Sequence, residues 1–258
     1  MKLYMRYLAI HIKSAMQYKA SFCMMAAGQF ISAFTAFLAI AFMFARFHTV
    51  DGFTFSEVLL CYAISTMSFA LAECFGRGFD LFPQVISNGE FDRILVRPRS
   101  PMFQVLSAKM ELSRIGRLFQ AILILCYALP ASAINWTGAK LLTLLLMILG
   151  GTALFFGLFI LYATFTFFTI EGLEVLNIFT YGGQEFSQYP VSIYGDGVLK
   201  FLTYVIPIAC VQYYPLLFLL DRTQSAAAAF FPLAAFAFLG VCAFAWRFGV
   251  KRFQSTGS

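Results

Sequence analysis

Apolar runs as long as a bilayer is thick alternate along this chain with short polar breaks. Five are plain: about Ser21 to Ala45, Ser56 to Phe75, Leu112 to Leu129, Leu141 to Phe168 and Ala226 to Trp246. Roughly 20 apolar residues cross the hydrocarbon core, so each run predicts a membrane-spanning helix. The breaks carry turn chemistry: Asp51-Gly52, Pro130 closing the third run, and Asn135-Trp136-Thr137-Gly138, whose tryptophan suits a membrane–water interface. Ahead of the first run, Leu3/Tyr4, Tyr7/Leu8, His11/Ile12 and Ala15/Met16 recur at helical spacing, with Lys2, Arg6, Lys13 and Lys19 at other positions around the helix. Residues 1–20 therefore predict an amphipathic helix in the membrane interface. They do not form a cleavable signal peptide, because no apolar core follows the charges within the usual length.

One long polar interruption stands out, residues 76–111 and on to Arg117. It holds Arg77, Arg93, Arg97, Arg99, Lys109, Arg114 and Arg117 against Asp80, Glu90, Asp92 and Glu111. Asn88-Gly89 is a turn signal, and Pro98 and Pro101 disfavour the α conformation in the residues before them. A short helix, a turn, a second short amphipathic piece and a proline-marked bend follow from that pattern. Such an element between two spans either grips something soluble or is a solvated cytoplasmic loop.

Beyond Phe168 the pattern is less regular. Glu171-Gly172-Leu173-Glu174 precedes a mixed stretch, Val175 to Gln188, and then an aromatic and proline-rich one with Pro190, Pro207 and Pro215. In one topology 171–198 is a cytoplasmic loop and 199–220 is span five. In the other, 169–174 is a tight turn, 175–190 is span five, and 191–222 is a re-entrant or interfacial hairpin on the outer side. Both put the N-terminus, the basic loop and the C-terminal tail inside, leaving only Arg46, Lys140, Lys200 and Arg222 elsewhere among the 18 Lys and Arg. An inside loop at 171–198 would have no Lys or Arg and four acids, Glu171, Glu174, Glu185 and Asp196. The prolines also fit a broken hairpin better than a clean span, which favours the second topology.

Composition agrees with a membrane protein: of 258 residues 61% are hydrophobic and 12% charged, with mean hydropathy +0.81, where soluble domains carry about a quarter charged residues. The fold class is all-α integral membrane: six transmembrane helices, an N-terminal interfacial helix, and a single transmembrane domain over 1–258. No short alternating strands point to a β-barrel. The net charge of +6 does not imply nucleic acid, because the cations flank apolar segments, where orientation explains them. Cys23, Cys61, Cys74, Cys126, Cys210 and Cys242 form no CxxC pair, and His11 and His48 lie at opposite ends of the first span. Neither a disulfide framework nor a metal site is supported.

No catalytic constellation is present: there is no GxxxxGK[ST] phosphate loop, HExxH or GxSxG. Glu185 carries more weight, since an acid inside a span faces a bundle interior, a partner chain or a water-filled path. Asn177, Thr180, Gln184 and Gln188 follow helical spacing beside it, which gives span five a polar face. Gly182-Gly183 allows close helix approach or a kink. These residues either line a transport path or bond to neighbouring helices.

The interfacial helix, six spans, charged loop after span two and outer hairpin before span six resemble the type-2 ATP-binding-cassette (ABC) export permease. The stretch Asn88 to Pro101, Phe179-Thr180-Tyr181-Gly182-Gly183, the Tyr189-Pro190 step and the tail Arg252-Phe253-Gln254-Ser255-Thr256-Gly257-Ser258 are similar to one bacterial subfamily. Its members are small permeases encoded apart from their ATPase, some linked to efflux of drugs or viologen-like cations. The resemblance implies a coupling helix at about Arg77 to Ile94 that docks on a cytoplasmic ATPase, with Arg77, Asp80, Glu90, Phe91, Asp92, Arg93 and Arg97 as its contacts. It also implies ATP and Mg on that partner with no cofactor in this chain. A second permease chain, identical or paralogous, would complete the pathway in the bacterial inner membrane. Gly195-Asp196-Gly197 stands where the family leads one to expect a proline-containing turn. An ion-coupled secondary transporter or channel using Glu185 is the alternative, and a membrane scaffold without transport is a third reading.

Overall fold

The computed structural model describes residues 2–169, 174–223 and 225–253. The turn expected over 169–174 and the tail beyond Phe253 fall largely or wholly outside them. Among the described residues the chain is helical, with one isolated bridge between Val50 and Phe53. Helix α1 (Lys2–Gln17) breaks at Tyr18 and gives way to α2 (Lys19–Arg46). Asp51 and Gly52, both at positive φ, turn the chain into α3 (Phe55–Asp80). The Glu57 carboxylate accepts from the Thr54 N–H at 2.8 Å, which satisfies one of the unpaired donors at the start of α3.

Helix α3 is the central element, buried along most of its length. It runs five residues into the expected polar loop, so Arg77 and Asp80 sit on the end of a span. Three short helices follow, α4 (Phe82–Ser87), α5 (Phe91–Leu95) and α6 (Pro101–Ala108). The coupling segment expected over Arg77 to Ile94 comprises the end of α3, then α4, then α5. The short helix, the Asn88-Gly89 turn and the second short piece read from the sequence are α4, that turn and α5. A 3-10 turn, Leu112–Arg114, leads into α7 (Ile115–Ala131), which carries Pro130 in its last turn and ends one residue beyond it. Helix α8 (Gly138–Thr169) is the longest, and α9 (Glu174–Ser187) has 14 residues. Next come α10 (Asp196–Tyr204), α11 (Ile208–Val211) and α12 (Tyr213–Leu219). A 3-10 stretch, Ala226–Leu233, continues into α13 (Ala234–Arg252).

Among the described residues five helical segments are long and apolar enough to cross a membrane: Lys19–Arg46, Phe55–Ser87, Leu112–Ala131, Gly138–Thr169 and Ala226–Arg252. A sixth would be the pair Asp196–Tyr204 and Ile208–Leu219 if it were one span, but that pair is bent by 83°. Its contacts show where it goes. Ser192 donates to Asp51 at the start of α3, and beyond the pair Asp221 meets Lys140 and Arg222 meets Glu57, at 2.7 and 2.9 Å. Between those points Gln212 Nε2 donates to the Cys61 carbonyl at 2.9 Å, part-way down α3. The pair therefore dips into the bundle and returns to the end it left. Helix α9 makes the traverse instead: Tyr181 contacts Asp80 at one end of α3, and Ser192, just beyond the helix, reaches Asp51 at the other. At 1.5 Å per residue α9 covers only about 21 Å, and it is not among the helices long and apolar enough to cross a membrane by themselves.

Aromatic packing fixes the loop end. Phe82 and Phe91 are fully buried and meet Trp246 of α13 and Phe167 of α8 with ring centroids 4.9 to 5.2 Å apart. Helix α1 lies against α6, where Tyr4 and Tyr7 place their rings edge-on to Phe103, and His11 Nε2 lies 3.0 Å from the Ser107 carbonyl. Part of the face expected to sit in the membrane interface is thus a protein contact.

Candidate functional site

Four helices, α2, α3, α7 and α9, meet around a small polar cleft of about 60 Å³ in the apolar part of the bundle. Gln184 and Glu185 of α9 and Gln188 just beyond its end line it, together with Tyr62 and Thr66 of α3 and Arg117 of α7. Gln184 and Glu185 lie in the last turn of α9, and the chain leaving the helix keeps Gln188 on the same side. Gln188 Nε2 donates to Glu185 Oε2 at 3.0 Å. Ser65 of α3 donates to the Gln184 carbonyl at 3.4 Å and pairs with Ser187, which clamps α9 to α3. Tyr62 donates to the Ala33 carbonyl at 2.6 Å, and its neighbour Gln120 is buried with its Nε2 unpaired among the described residues. Glu185 is exposed on the single chain, while Thr180, Gln184 and Gln188 are buried. Of the five residues expected on the path, Gln184, Glu185 and Gln188 share the cleft. Thr180 is buried one turn away and donates to the Asn177 carbonyl at 3.4 Å, and Asn177 is half-buried outside the lining.

Arg117 belongs to a second cluster as well. The Glu73 carboxylate, 1% exposed, lies 3.1 Å from both Arg114 and Arg117. Gln29 Oε1 of α2 accepts from the same two guanidiniums at 2.6 and 3.2 Å. The buried carboxylate is paired with two cations and accepts from Arg117 through Oε2 at 3.1 Å, as buried charge requires, while its Oε1 has no hydrogen bond among the described residues. Sequence reading grouped Arg114 and Arg117 with the loop cations while starting span three at about Leu112; both pair with Glu73 at the entry to α7.

A third cluster joins the loop to α9. Arg77 pairs with Asp80 and donates to the Tyr181 hydroxyl at 2.9 Å, and that hydroxyl donates to Asp80 Oδ2 at 2.9 Å. Glu111 stands 3.9 Å from Arg77 on the far side. Arg77 and Asp80 are half-buried and already paired within the protein. Phe91 is fully buried under the aromatic cluster, and as a surface contact for a docking partner it is corrected. Glu90, Arg93 and Arg97 are exposed and Asp92 is half-buried. Arg93 and Arg97 make no ion pair among the described residues. No group of three His, Cys, Asp or Glu among the described residues is arranged to hold a metal ion.

Residues 30–257 match the model of a family described as ABC-2 family transporter protein. The chain belongs to that family. As an ABC-2 protein it is a multi-pass membrane permease, the membrane component of an ABC transporter and not its ATPase, and membership implies an ABC ATPase partner. The secondary-transporter and scaffold alternatives give way to this assignment. No curated protein and no solved structure matches the chain.

Signals for the missed residues were weak. Tyr62 and Thr66 are one helical turn apart on span two, a spacing visible in the sequence. Nothing local distinguishes Arg117 from the loop cations before it.

Proposed function

We propose that this ABC-2 permease is the membrane half of an exporter in the bacterial inner membrane, with both termini and the loop after α3 on the cytoplasmic side. Two permease chains, identical or paralogous, pair around a central pathway above two ATPase subunits. The exposed surface from Glu90 to Arg97, with Arg93 and Arg97 foremost, docks on the ATPase. The cleft at Glu185 is part of the path, and its substrate is a hydrophobic or cationic small molecule or a peptide.

The observation that carries this reading is the Arg77–Asp80–Tyr181 cluster. It ties the end of α3, from which the docking loop departs, to the helix that bears Glu185. Movement imposed on the loop by ATPase closure is delivered to α9 through that cluster, because packed helices shift as units. Arg117 carries the same displacement to the opposite wall, since it lines the cleft while held by Glu73.

The test is a detergent pull-down of the tagged chain from its native membranes, with identification of co-purifying proteins. Recovery of an ABC ATPase from native membranes, lost with Arg93→Glu/Arg97→Glu while the variant still inserts, supports the docking assignment. Undiminished recovery with that variant would overturn it.

A further inference from the structure

At the loop end of the bundle a groove of about 460 Å³ lies between the start of α6 and the last turns of α13. Its α13 wall is one helical face: Phe244, Arg247, Phe248 and Lys251, at spacings of three and four. Ser100 and Met102 form the other side, and Trp246 lines the groove from beneath. Phe244, Arg247, Phe248 and Lys251 are all exposed. Arg252 adds a guanidinium 5.2 Å from the Phe248 ring centroid, and Arg99 precedes Ser100 in the chain. None of Arg99, Arg247, Lys251 and Arg252 makes an ion pair among the described residues.

The groove is therefore cationic at the end of the helix and aromatic further in. From Lys251 back to Phe244 the axial distance is about 10 Å, which runs from headgroup depth toward the hydrocarbon. A soluble anion uses only the cations and leaves the trough beside Phe244 unfilled. A molecule with a phosphate at one end and a hydrocarbon chain at the other fills both. We infer that this groove binds an anionic phospholipid, with its phosphate on Arg247, Lys251 and Ser100 and one acyl chain against Phe244 and Phe248. Basic residues at the membrane surface favour anionic lipid, and here the apolar trough fixes the orientation.

The two tryptophans, Trp136 and Trp246, provide the measurement. The full chain carrying Trp136→Phe is reconstituted in phosphatidylcholine vesicles, and quenching of Trp246 is followed as brominated phosphatidylglycerol or brominated phosphatidylcholine is added. Phosphatidylglycerol should reach half-quenching at a mole fraction lower by a factor on the order of ten. Arg247→Gln/Lys251→Gln should bring its curve onto that of phosphatidylcholine, while Arg247→Lys/Lys251→Arg keeps the preference and shows that folding is intact. If Trp136→Phe does not insert, the native chain serves with Trp246→Phe subtracted as the Trp136 background. Coincident curves for the two lipids in the native groove would overturn the inference. So would a preference that survives the double glutamine change, or one erased by inorganic phosphate in the buffer, which would assign the cations to a free anion.

Discussion

The Tyr181 hydroxyl donates to Asp80 Oδ2 at 2.9 Å, which joins the helix bearing Glu185 to the last residue of α3. Hydrogen bonds to charged groups contribute about 1.5–3 kcal/mol. Tyr181→Phe keeps the ring against Phe69, where the centroids are 5.4 Å apart, and leaves Asp80 paired with Arg77. The expected outcome is a destabilisation near the low end of that range, seen as a modest drop in melting temperature of the purified chain. ATPase co-purification should be unchanged, and stimulation of ATP hydrolysis by the permease should fall several-fold. Full stimulation with Tyr181→Phe would remove this contact from the coupling route.

Glu73 is the sole carboxylate within 4.0 Å of Arg114 and Arg117 among the described residues. Glu73→Gln leaves two half-buried guanidiniums without a counter-charge. Such a change costs about 3–5 kcal/mol where the charges are fully buried, and less here, where both guanidiniums are partly exposed. Glu73→Gln/Arg114→Gln removes one surplus charge and should recover part of the loss. Thermal unfolding in one detergent checks both variants. Equal melting temperatures for Glu73→Gln and the native chain would mean that these charges are hydrated.

Glycines set two close helix approaches. A Cβ on Gly116 would stand 1.8 Å from the Ala26 carbonyl oxygen, and one on Gly78 would stand 1.9 Å from that of Val105. Both obstacles are backbone, so a helix must move. Gly116→Ala and Gly78→Ala should each cost roughly 1–3 kcal/mol or more, read as loss of monodisperse protein after extraction. Gly28, on the same α2 helix as Ala26, has nothing within 4 Å of its Cβ position. Gly28→Ala should be neutral or stabilising by up to about 1 kcal/mol, because alanine is the better helix former. Similar behaviour of Gly28→Ala and Gly116→Ala would contradict the α2–α7 contact.

The spans were legible because each is a local property, an apolar run of sufficient length, and the structure ends them within a few residues of the turn signals. The polar side of α9 was legible for the same reason: Gln184 and Gln188 are one turn apart and need no other helix to be seen. What was illegible depends on who meets whom. Arg117 lies 44 residues from Glu73 and 88 from Gln29, and its neighbours in sequence are the loop cations with which it was grouped. Phe91 misled in the opposite direction. Set among charges, it read as a contact for a soluble partner, yet a lone aromatic in a polar segment is the residue that burial favours, and it anchors α5 to Phe82 and Phe167. Arg77 and Asp80 read as loop residues, whereas α3 continues past the last apolar residue of its run and carries both.

The path of residues 196–219 gives the last prediction. Its two ends are pinned to the same end of the bundle by Ser192–Asp51 before it and Arg222–Glu57 after it. If the chain instead ran through the bilayer here, Gly197 and Ser225 would face opposite compartments. In a background with the six native cysteines replaced, Gly197→Cys and Ser225→Cys, both exposed positions, should react equally with a membrane-impermeant maleimide applied to one side. Val96→Cys, exposed in the loop between α5 and α6, should react only from the other side. The bend also makes a specific demand at Gln212, whose side chain holds the dipped segment to the Cys61 carbonyl. Gln212→Leu leaves Gln212's volume nearly filled and removes the hydrogen bond, so labelling of Gly197→Cys should persist while the melting temperature falls by a few degrees. Labelling of Gly197→Cys and Ser225→Cys from opposite sides would convert the hairpin into a span. Helix α9 would then have to lie outside the crossing set, on the same side as the loop that Arg77 and Asp80 tie it to.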